Sequence, residues 1–412
     1  MKKVRKVWTA ALVMLLVVVL AACGGSGSGG SSSPAPSSAA PSPSESAGGD
    51  TGGSSGGGGG GGQTLKIGVI VAESGPASSL GKQEGEIARL LAKKWADQTF
   101  GGNKIEIIIH DYETNDTNAV VQAKKLINED KVIAIVGGSQ ASTSVAIGQV
   151  AQENKIPFFA LAPLEQDQLG EYIFSMVPSN ELMLLGAIDW MKSKGITKVG
   201  WTNARDGYGQ AGLPVFERLA PQHGMEIVGV EDFDAAATDM TVQLTKLRAK
   251  NPEAIIVWSR PPGSGVVAKN YKALGMTIPL IQSNASAGNA YLEQVGADAE
   301  GNLVMGTKLE VAELLPDSDY KKQLLEFKEM FKAEYGVNPT QFAGFTYDGL
   351  NMIAKAVSEG HVTPEALYEY VQTTPYSGVT GVYQNTKDNH NAISGDGVII
   401  LKASGGQWVP AE

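Results

Sequence analysis

The residues with the most suggestive chemistry follow a short apolar stretch, "KVIAIVGG", which is typical of a buried strand. Gly137 and Gly138 end this stretch, and Gln140, Ser142 and Thr143 stand where the next helix is expected to begin. Free backbone N–H groups and the helix dipole favour an anion at such a position, and hydroxyl groups can add donors to a carboxylate. The same hydroxyls could equally serve only to cap the helix. The turn therefore predicts either a carboxylate-binding site or a capped helix start.

Three further turns carry side chains suited to contact with a small ligand. Tyr208 lies between two glycines in "DGYG", where its ring is either exposed for stacking or used for packing. Trp258 and Arg260 close the stretch "EAIIVWSR". The alternatives to ligand contact are core packing for this indole and a solvated surface charge for this guanidinium. Asn284 ends "LIQSN", where its amide either faces a cleft or stabilises a loop.

The chain lacks the residue patterns that catalysis would require. From Gln63 onward there is no G-x-S-x-G elbow, no phosphate-binding loop and no G-x-G-x-x-G after the first predicted strand. The histidines have no metal-ligand spacing, since they are scattered at His110, His223, His361 and His390. These patterns favour binding over catalysis and predict neither a cofactor nor a metal. An extracytoplasmic α/β enzyme is the remote alternative.

The candidate residues lie on turns that a repeated strand–helix pattern would position. From Thr64 onward, apolar stretches such as "TLKIGVIVA" alternate with helical segments, one of which is expected to begin with Asp116 as its N-cap. This repetition predicts mostly parallel sheets with helices on both faces. Ligands bind beyond the carboxyl ends of such strands. Four strand-to-helix turns, two in each of two tandem α/β units, are therefore expected to line one cleft, namely 72–81, 137–143, 202–210 and 258–265.

The N-terminus has the composition of an export signal. Basic residues open the chain, an apolar stretch follows, and "LAAC" ends it in a pattern that resembles the bacterial lipobox. The apolar stretch is shorter than the roughly 20 residues of a membrane-spanning helix. We predict a lipoprotein signal peptide at 1–22 and lipidation at Cys23; a signal peptide with a chance cysteine and an uncleaved anchor helix are the alternatives. Residues 24–62 are mostly Gly, Ser, Pro and Ala and predict a disordered linker.

Composition restricts the partners and the domain organisation. The chain has 33 basic and 43 acidic residues, and its net charge of −10 argues against nucleic acid, which requires a basic surface. Cys23 is the only cysteine, so no internal disulfide stabilises the protein and its stability rests on packing. About 350 residues remain from Gln63 onward, which is enough for two domains with their own cores.

The order of several short motifs resembles a known family. These motifs are "IGVIVAESGPASSLG", "AIVGGSQASTSVA", "IPFFA", "DGYG" and "FTYDGL", after a lipobox and a polar linker. Together they resemble the branched-chain amino acid class of periplasmic-type solute-binding proteins, which are receptors of ABC importers. The resemblance implies an α/β fold of two doubly wound, Rossmann-like lobes joined by a three-crossing hinge, a type I clamshell.

The resemblance also implies how the chain is divided between the lobes. The first lobe would contain 63–179 plus 308–381, and the second 180–307 plus 382–412. The crossings would lie near Ser179, Thr307 and Gly381, where the lobes would rock as rigid bodies.

The family pattern assigns roles to the candidate residues one by one. In the family, segments matching Gln140, Ser142, Thr143 and Ala162 hold the ligand carboxylate. Tyr208 would face the ligand from the other lobe, and Leu80 would line the pocket. Amino-acid binders also have an acidic residue near the position of Ser283 or Asn284 that pairs with the ligand ammonium, but "IQSNAS" has none. Trp258 and Arg260 also depart from the pattern, so an amino acid and a carboxylate or amide without an ammonium are equally open.

The resemblance further implies the partners. A small-molecule ligand, ABC permease subunits and the membrane, through the lipid anchor, are expected, and the protein is expected to be a monomer. A ligand-sensing lipoprotein of the same fold, reporting to a signalling partner, is the alternative that the sequence leaves open.

Overall fold

A computed structural model describes residues 62–391, 393–394 and 397–412 of the 412-residue chain. The predicted signal peptide, Cys23 and nearly all of the predicted linker lie outside these residues. The described residues belong to one compact unit. Within them, no helix combines the length and apolar character needed to cross a membrane.

The first sheet is entirely parallel. Its strands in the described chain are β1 (Thr64–Val71), β2 (Lys104–Asp111), β3 (Ala134–Gly137), β4 (Phe158–Ala160) and β5 (Ile173–Ser175). They lie in the order β2-β1-β3-β4-β5. β3 and β4 are wholly buried, as expected for parallel strands covered by helices on both faces. The strand order reverses between β1 and β3, and a ligand crevice forms at such a reversal.

The second sheet repeats this order and extends it. Its strands are β6 (Lys198–Ala204), β7 (Glu226–Phe233), β8 (Ala254–Trp258), β9 (Leu280–Gln282), β10 (Leu303–Thr307), β13 (Val398–Ser404) and β14 (Gln407–Pro410). The parallel part has the order β7-β6-β8-β9-β10, and β13 and β14 add antiparallel strands beside β10. The second reversal therefore lies between β6 and β8. A separate antiparallel pair joins β11 (Tyr376–Ser377) to β12 (Val382–Tyr383).

Two sets of helices cover the two sheets. The first core packs α1 (Ser78–Trp95), α2 (Asp116–Lys125), α3 (Ala141–Glu153), α9 (Asp319–Tyr335), α10 (Gln341–Ser358) and α11 (Pro364–Thr373) around the first sheet. Two further clusters, on the faces of the second sheet, include α4 (Asn180–Ser193), α5 (Gly207–Leu219), α6 (Thr241–Arg248), α7 (Gly263–Ala273) and α8 (Asn289–Val295). The fold is thus the predicted α/β type with two doubly wound sheets.

The cap of α2 differs from the prediction. Asn115, not Asp116, is the N-cap, because its side-chain oxygen accepts hydrogen bonds from the N–H groups of Thr117 at 2.9 Å and Asn118 at 3.1 Å. Asp116 is the first helical residue, where its charge interacts favourably with the helix dipole. This position leaves its carboxylate available to other donors.

The chain passes from one sheet to the other near the predicted positions, and the last passage comes late. Ser179 caps α4 on the way out of the first sheet, and Thr307 ends β10 on the way back. Tyr383 and Ile393 pack in the first core, and the Tyr383 hydroxyl donates to the Met176 carbonyl at 3.0 Å. The lobe boundaries stay a prediction, and these contacts favour placing the last crossing just before β13.

Candidate functional site

A cavity of about 170 Å³ lies at the carboxyl ends of both sheets. That volume is roughly ten times the ~10–15 Å³ that a single water requires, so it suits a small molecule. Its lining residues are Leu80, Ser139, Gln140, Ala141, Ser142, Leu161, Ala162, Pro163, Val177, Asp206, Gly207, Tyr208, Arg260, Asn284, Ala285 and Phe342. They come from the turns after β1, β3, β4, β5, β6, β8 and β9, together with α10. Both strand-order reversals therefore contribute to one cavity.

The N-terminus of α3 forms one wall. Gly138 has φ of 75°, which side chains rarely adopt, and a Cβ at Gly137 would lie 2.2 Å from the Ile70 carbonyl oxygen. These two glycines therefore allow the chain to turn sharply where β3 ends. Gln140 is extended at the N-cap position, and its side chain makes no capping hydrogen bond. The first turn of α3 therefore presents its backbone N–H groups and positive dipole end beside the cavity.

The hydroxyls of Ser142 and Thr143, which the sequence suggested as donors to a ligand, lie beside an acidic side chain of the protein itself. Thr143 Oγ1 is hydrogen-bonded to the Asp116 carboxylate, and Ser142 Oγ lies 3.4 Å from the same oxygen. Ser142 lines the cavity, whereas Thr143 is buried and does not. The backbone of the turn is therefore better placed than these hydroxyls to hold an anion.

The opposite wall is built on the N-terminus of α5. Asp206 caps this helix by accepting from the Gly209 N–H at 2.8 Å. The Tyr208 hydroxyl donates to Asn284 Oδ1 at 2.7 Å, which ties the turn after β6 to the turn after β9. Burial raises the pKa of the Tyr208 hydroxyl above its ordinary value, so it stays protonated in neutral solution. Tyr208 and Asn284 both line the cavity, as the sequence led us to expect.

A stack of aromatic rings supports Tyr208 from behind. Its ring centroid lies 6.0 Å from that of Trp258, which in turn lies 5.5 Å from Trp201, and both pairs are nearly parallel. Trp258 is fully buried and is not among the lining residues. Gly212 allows this packing, because a Cβ there would lie 2.4 Å from the Trp258 ring. Trp258 thus supports the wall and does not face the cavity.

The charged residues of the cavity are paired with each other. Arg260 Nη1 lies 2.8 Å from Asp206 Oδ2, and both side chains are mostly shielded from solvent, with 18% and 23% exposed. Arg260 was a sequence candidate, whereas Asp206 was missed because its pattern, before "GYG", is that of a helix cap. The pair leaves this wall with no net charge.

The remaining lining is largely apolar. Leu80 from α1 and Ala162 from the turn after β4 occupy the predicted positions. Phe342 on α10 also lines the cavity and was not predicted, since a buried aromatic on an apolar helix is typical of a core residue. Its neighbour Gln341 donates from Nε2 to the Asn284 carbonyl at 2.7 Å. This bond joins a helix of the first core to a turn of the second sheet.

A buried acid lies behind the α3 wall. Ser139 lines the cavity, its Oγ accepts from the Ala72 N–H at 3.0 Å, and the same Oγ is hydrogen-bonded to Glu84 Oε2. Glu84 is fully buried on α1, and burial raises the pKa of its carboxyl to about 8. Glu84 is therefore mostly protonated at pH 7. Ser139 lies on the turn 137–143 that the sequence singled out but was given no ligand contact there, and Glu84 was not predicted.

Across the described ranges, no three His, Cys, Asp or Glu side chains are grouped so that they could hold a metal ion.

The cavity brings together seven of the sequence candidates, namely Leu80, Gln140, Ser142, Ala162, Tyr208, Arg260 and Asn284. Their contact with a ligand stays a prediction.

Comparison with known proteins agrees with this geometry. The family model of periplasmic binding proteins matches residues 64–406. The Leu/Ile/Val-binding protein homolog 8 of Brucella abortus is 26% identical over 314 residues, covering 72% of this chain and 76% of that protein. An extracellular ligand-binding receptor of Rhodopseudomonas palustris HaA2 superposes with a TM-score of 0.78 and 25% identity, over 85% of this chain and 100% of that one.

A leucine binding protein of Thermotoga maritima superposes with a TM-score of 0.73 at 21% identity, over 84% of this chain and 98% of that one, and so shares the fold. The predicted resemblance to branched-chain amino acid-binding proteins of the two-lobed type I fold is therefore confirmed, and the chain belongs to the periplasmic binding protein family.

Proposed function

We propose that this protein is an extracytoplasmic, lipid-anchored substrate-binding protein that captures a small carboxylate or amide and delivers it to an ABC permease. Membership of the periplasmic binding protein family supports solute binding outside the cytoplasm. The observation that carries the ligand class is the cavity itself. It places an uncapped helix N-terminus opposite a tyrosine, an amide and a paired Asp–Arg.

The α3 wall supports a carboxylate as the polar end of the ligand. The backbone N–H groups at the start of α3 are oriented along the helix axis, and the helix dipole favours a negative charge there. The apolar lining, including Leu80, Ala162 and Phe342, suits a short hydrocarbon body behind that carboxylate. An amide would retain part of this recognition through its carbonyl oxygen.

The opposite wall argues against an obligatory ammonium group. Among the lining residues that the structure describes, Asp206 is the only acid, and Arg260 already neutralises it at 2.8 Å. A ligand ammonium would have to compete with this guanidinium for the carboxylate. A carboxylate or amide without an amine therefore fits better than the α-amino acid in the names of the relatives.

Delivery would follow from closure around the ligand. Residues from both sheets line the cavity, so a ligand contacts both only when they are close together. Such a ligand shifts the balance toward the closed form, because it binds that form more tightly. The closed form is then the species that the permease recognises, and Cys23 would hold the protein at the membrane.

Matched ligands test this proposal. Calorimetric titrations would compare leucine, 4-methylpentanoate and 4-methylpentanamide, which share one side chain and differ in the amine and the acid. Equivalent sets built on phenylalanine and alanine, each with its amine-free acid and amide, would test ligands with a larger and a smaller side chain. We expect an amine-free acid or amide to bind more tightly than its amino acid. Binding of amino acids alone would overturn the ligand class, and binding of none would argue against this site as a carboxylate receptor.

A further inference from the structure

Within the described part of the chain, Ser139 is the one lining residue whose side chain is hydrogen-bonded to a fully buried acid. Its Oγ accepts from the Ala72 N–H at 3.0 Å and is hydrogen-bonded to Glu84 Oε2. We propose that Glu84 is a positioning residue that holds a proton against Ser139, so that the Ser139 hydroxyl donates its own hydrogen to the ligand carboxylate. This inference rests on the proposed function, because it assigns a further contact in the same cavity.

The number of hydrogens around Ser139 carries the argument. A serine hydroxyl has one hydrogen to donate and two lone pairs that accept. The Ala72 N–H occupies one lone pair. A protonated Glu84 donates to the other lone pair, which leaves the Ser139 hydrogen free to point into the cavity. An ionised Glu84 can only accept, so it takes that hydrogen and leaves Ser139 without a donor for the ligand.

The surroundings of Glu84 favour the protonated form. Its other oxygen, Oε1, is buried and has no hydrogen-bond partner in the described part of the chain. The charge that acts on Glu84 is the negative charge of Glu73, which has the sign that an ionised Glu84 would have. Glu73 is itself paired with Arg89. A negative charge at this place would be both poorly solvated and repelled.

Other titratable groups come from each element packed near α1. They are Glu86 on α1 itself, Tyr112 after β2, Asp116 on α2, Tyr335 on α9 and Asp348 on α10. Asp348 accepts hydrogen bonds from the Val379 and Thr380 N–H groups, and Tyr335 donates to the Glu86 carbonyl. The cations of α1 itself are Lys82, Arg89, Lys93 and Lys94; Arg89 is paired with Glu73 and Lys93 with Glu334. In the described part of the chain, the charge that acts on Glu84 is the negative one of Glu73, so no cation compensates an ionised Glu84.

The consequence is binding that weakens in alkaline solution. When Glu84 loses its proton, the ligand carboxylate loses one hydrogen bond and meets a new negative charge behind the α3 wall. A hydrogen bond to a charged group corresponds to about a ten- to hundredfold change in affinity. The Tyr208 hydroxyl does not titrate first, because burial raises its pKa above the ordinary tyrosine value.

The test is a pH profile of ligand affinity for wild type and two variants. The probe is the tightest-binding amine-free acid of the matched panel, beginning with 4-methylpentanoate, which stays ionised from pH 6.5 to 9.5. For wild type we expect its dissociation constant to rise about ten- to hundredfold across this range. Glu84→Gln keeps the shape and a permanent N–H donor, so it should bind like wild type at pH 6.5 and lose the rise.

Matched variants separate this role from a structural one. Glu86→Gln changes a partly exposed acid two residues along the same helix and should keep the wild-type profile. Ser139→Ala should bind more weakly than wild type at pH 6.5 and keep only the smaller rise that the new negative charge on Glu84 causes. A wild-type profile as flat as that of Glu84→Gln, or a rise that persists in Glu84→Gln, would overturn the proposal.

A ligand-free measurement keeps this proposal separate from the proposed function. Infrared difference spectra of wild type minus Glu84→Gln should show the C=O stretch of a protonated carboxyl at pH 6.5, and that band should vanish by pH 9.5. If no acid of the panel binds, the proposed function fails while the band still tests the protonated Glu84. If the band is missing at pH 6.5, the proton is not there and the inference fails even with a bound ligand.

Discussion

Replacing Glu84 with glutamine should make the protein more stable at neutral pH. The carboxyl has an ordinary pKa of 4.5 and a pKa of about 8 in the fully buried native position. Between these values the native state keeps a proton that the unfolded chain has released. Stability is therefore full below pH 4.5 and falls as the pH rises to about 8. At 1.36 kcal/mol per pH unit, the loss at pH 7 is about 3 kcal/mol.

Glutamine has the same shape and cannot ionise, so Glu84→Gln should avoid this loss. Urea unfolding followed by circular dichroism would give the free energy of unfolding of wild type and variant at pH 4.5, 7 and 8.5. We expect a difference of about 3 kcal/mol in favour of the variant at pH 7, shrinking toward zero at pH 4.5. Glu217→Gln, at an exposed position on α5, serves as the control and should match wild type. A variant no more stable than wild type at pH 7 would refute a neutral Glu84.

Three further substitutions test the opposite wall. Gly212→Ala places a Cβ 2.4 Å from a buried indole and should lower the free energy of unfolding in urea by about 1–3 kcal/mol. Gly207→Ala is the control, because a Cβ there has no atom within 4 Å, and it should leave this free energy unchanged. Equal stabilities of the two variants would contradict the packing described. Arg260→Met leaves Asp206 unpaired, so calorimetry should show leucine gaining affinity relative to 4-methylpentanoate; an unchanged ratio would mean that Asp206 does not face the ligand. Tyr208→Phe removes a hydroxyl hydrogen bond and should raise the dissociation constant about two- to tenfold with an unchanged circular dichroism spectrum, and an unchanged dissociation constant would remove that hydroxyl from the site.

Much of the fold could be predicted because its physical basis is local. Apolar, β-branched stretches of strand length alternate with helical periodicity, and this alternation permits few arrangements other than parallel sheets. The carboxyl ends of the strands then indicate where a ligand binds. Tyr208 and Asn284 follow such strand ends, and both line the cavity. The last crossing stays a prediction, and the packing of Tyr383 in the first core shows that its place depends on contacts that lie far apart in sequence.

The candidates that do not line the cavity and the residues that were not predicted share one cause, which is that side-chain direction depends on tertiary packing. Thr143 and Trp258 stand on the predicted turns, yet one binds Asp116 and the other lies inside an aromatic stack. Phe342 reaches the cavity from α10, whose sequence is that of a core helix. Glu84 lies on α1 among residues of ordinary amphipathic spacing, so its burial could not be read from the sequence.

The most direct test is a crystal structure of the protein with the tightest-binding acid of the matched panel. We expect the ligand carboxylate to accept hydrogen bonds of about 2.7–3.2 Å from backbone N–H groups in the first turn of α3 and from the Ser139 hydroxyl. The hydrocarbon part should lie between Leu80 and Phe342, with the Asp206–Arg260 pair intact. A carboxylate bound to Arg260, with the hydrocarbon end against α3, would contradict it.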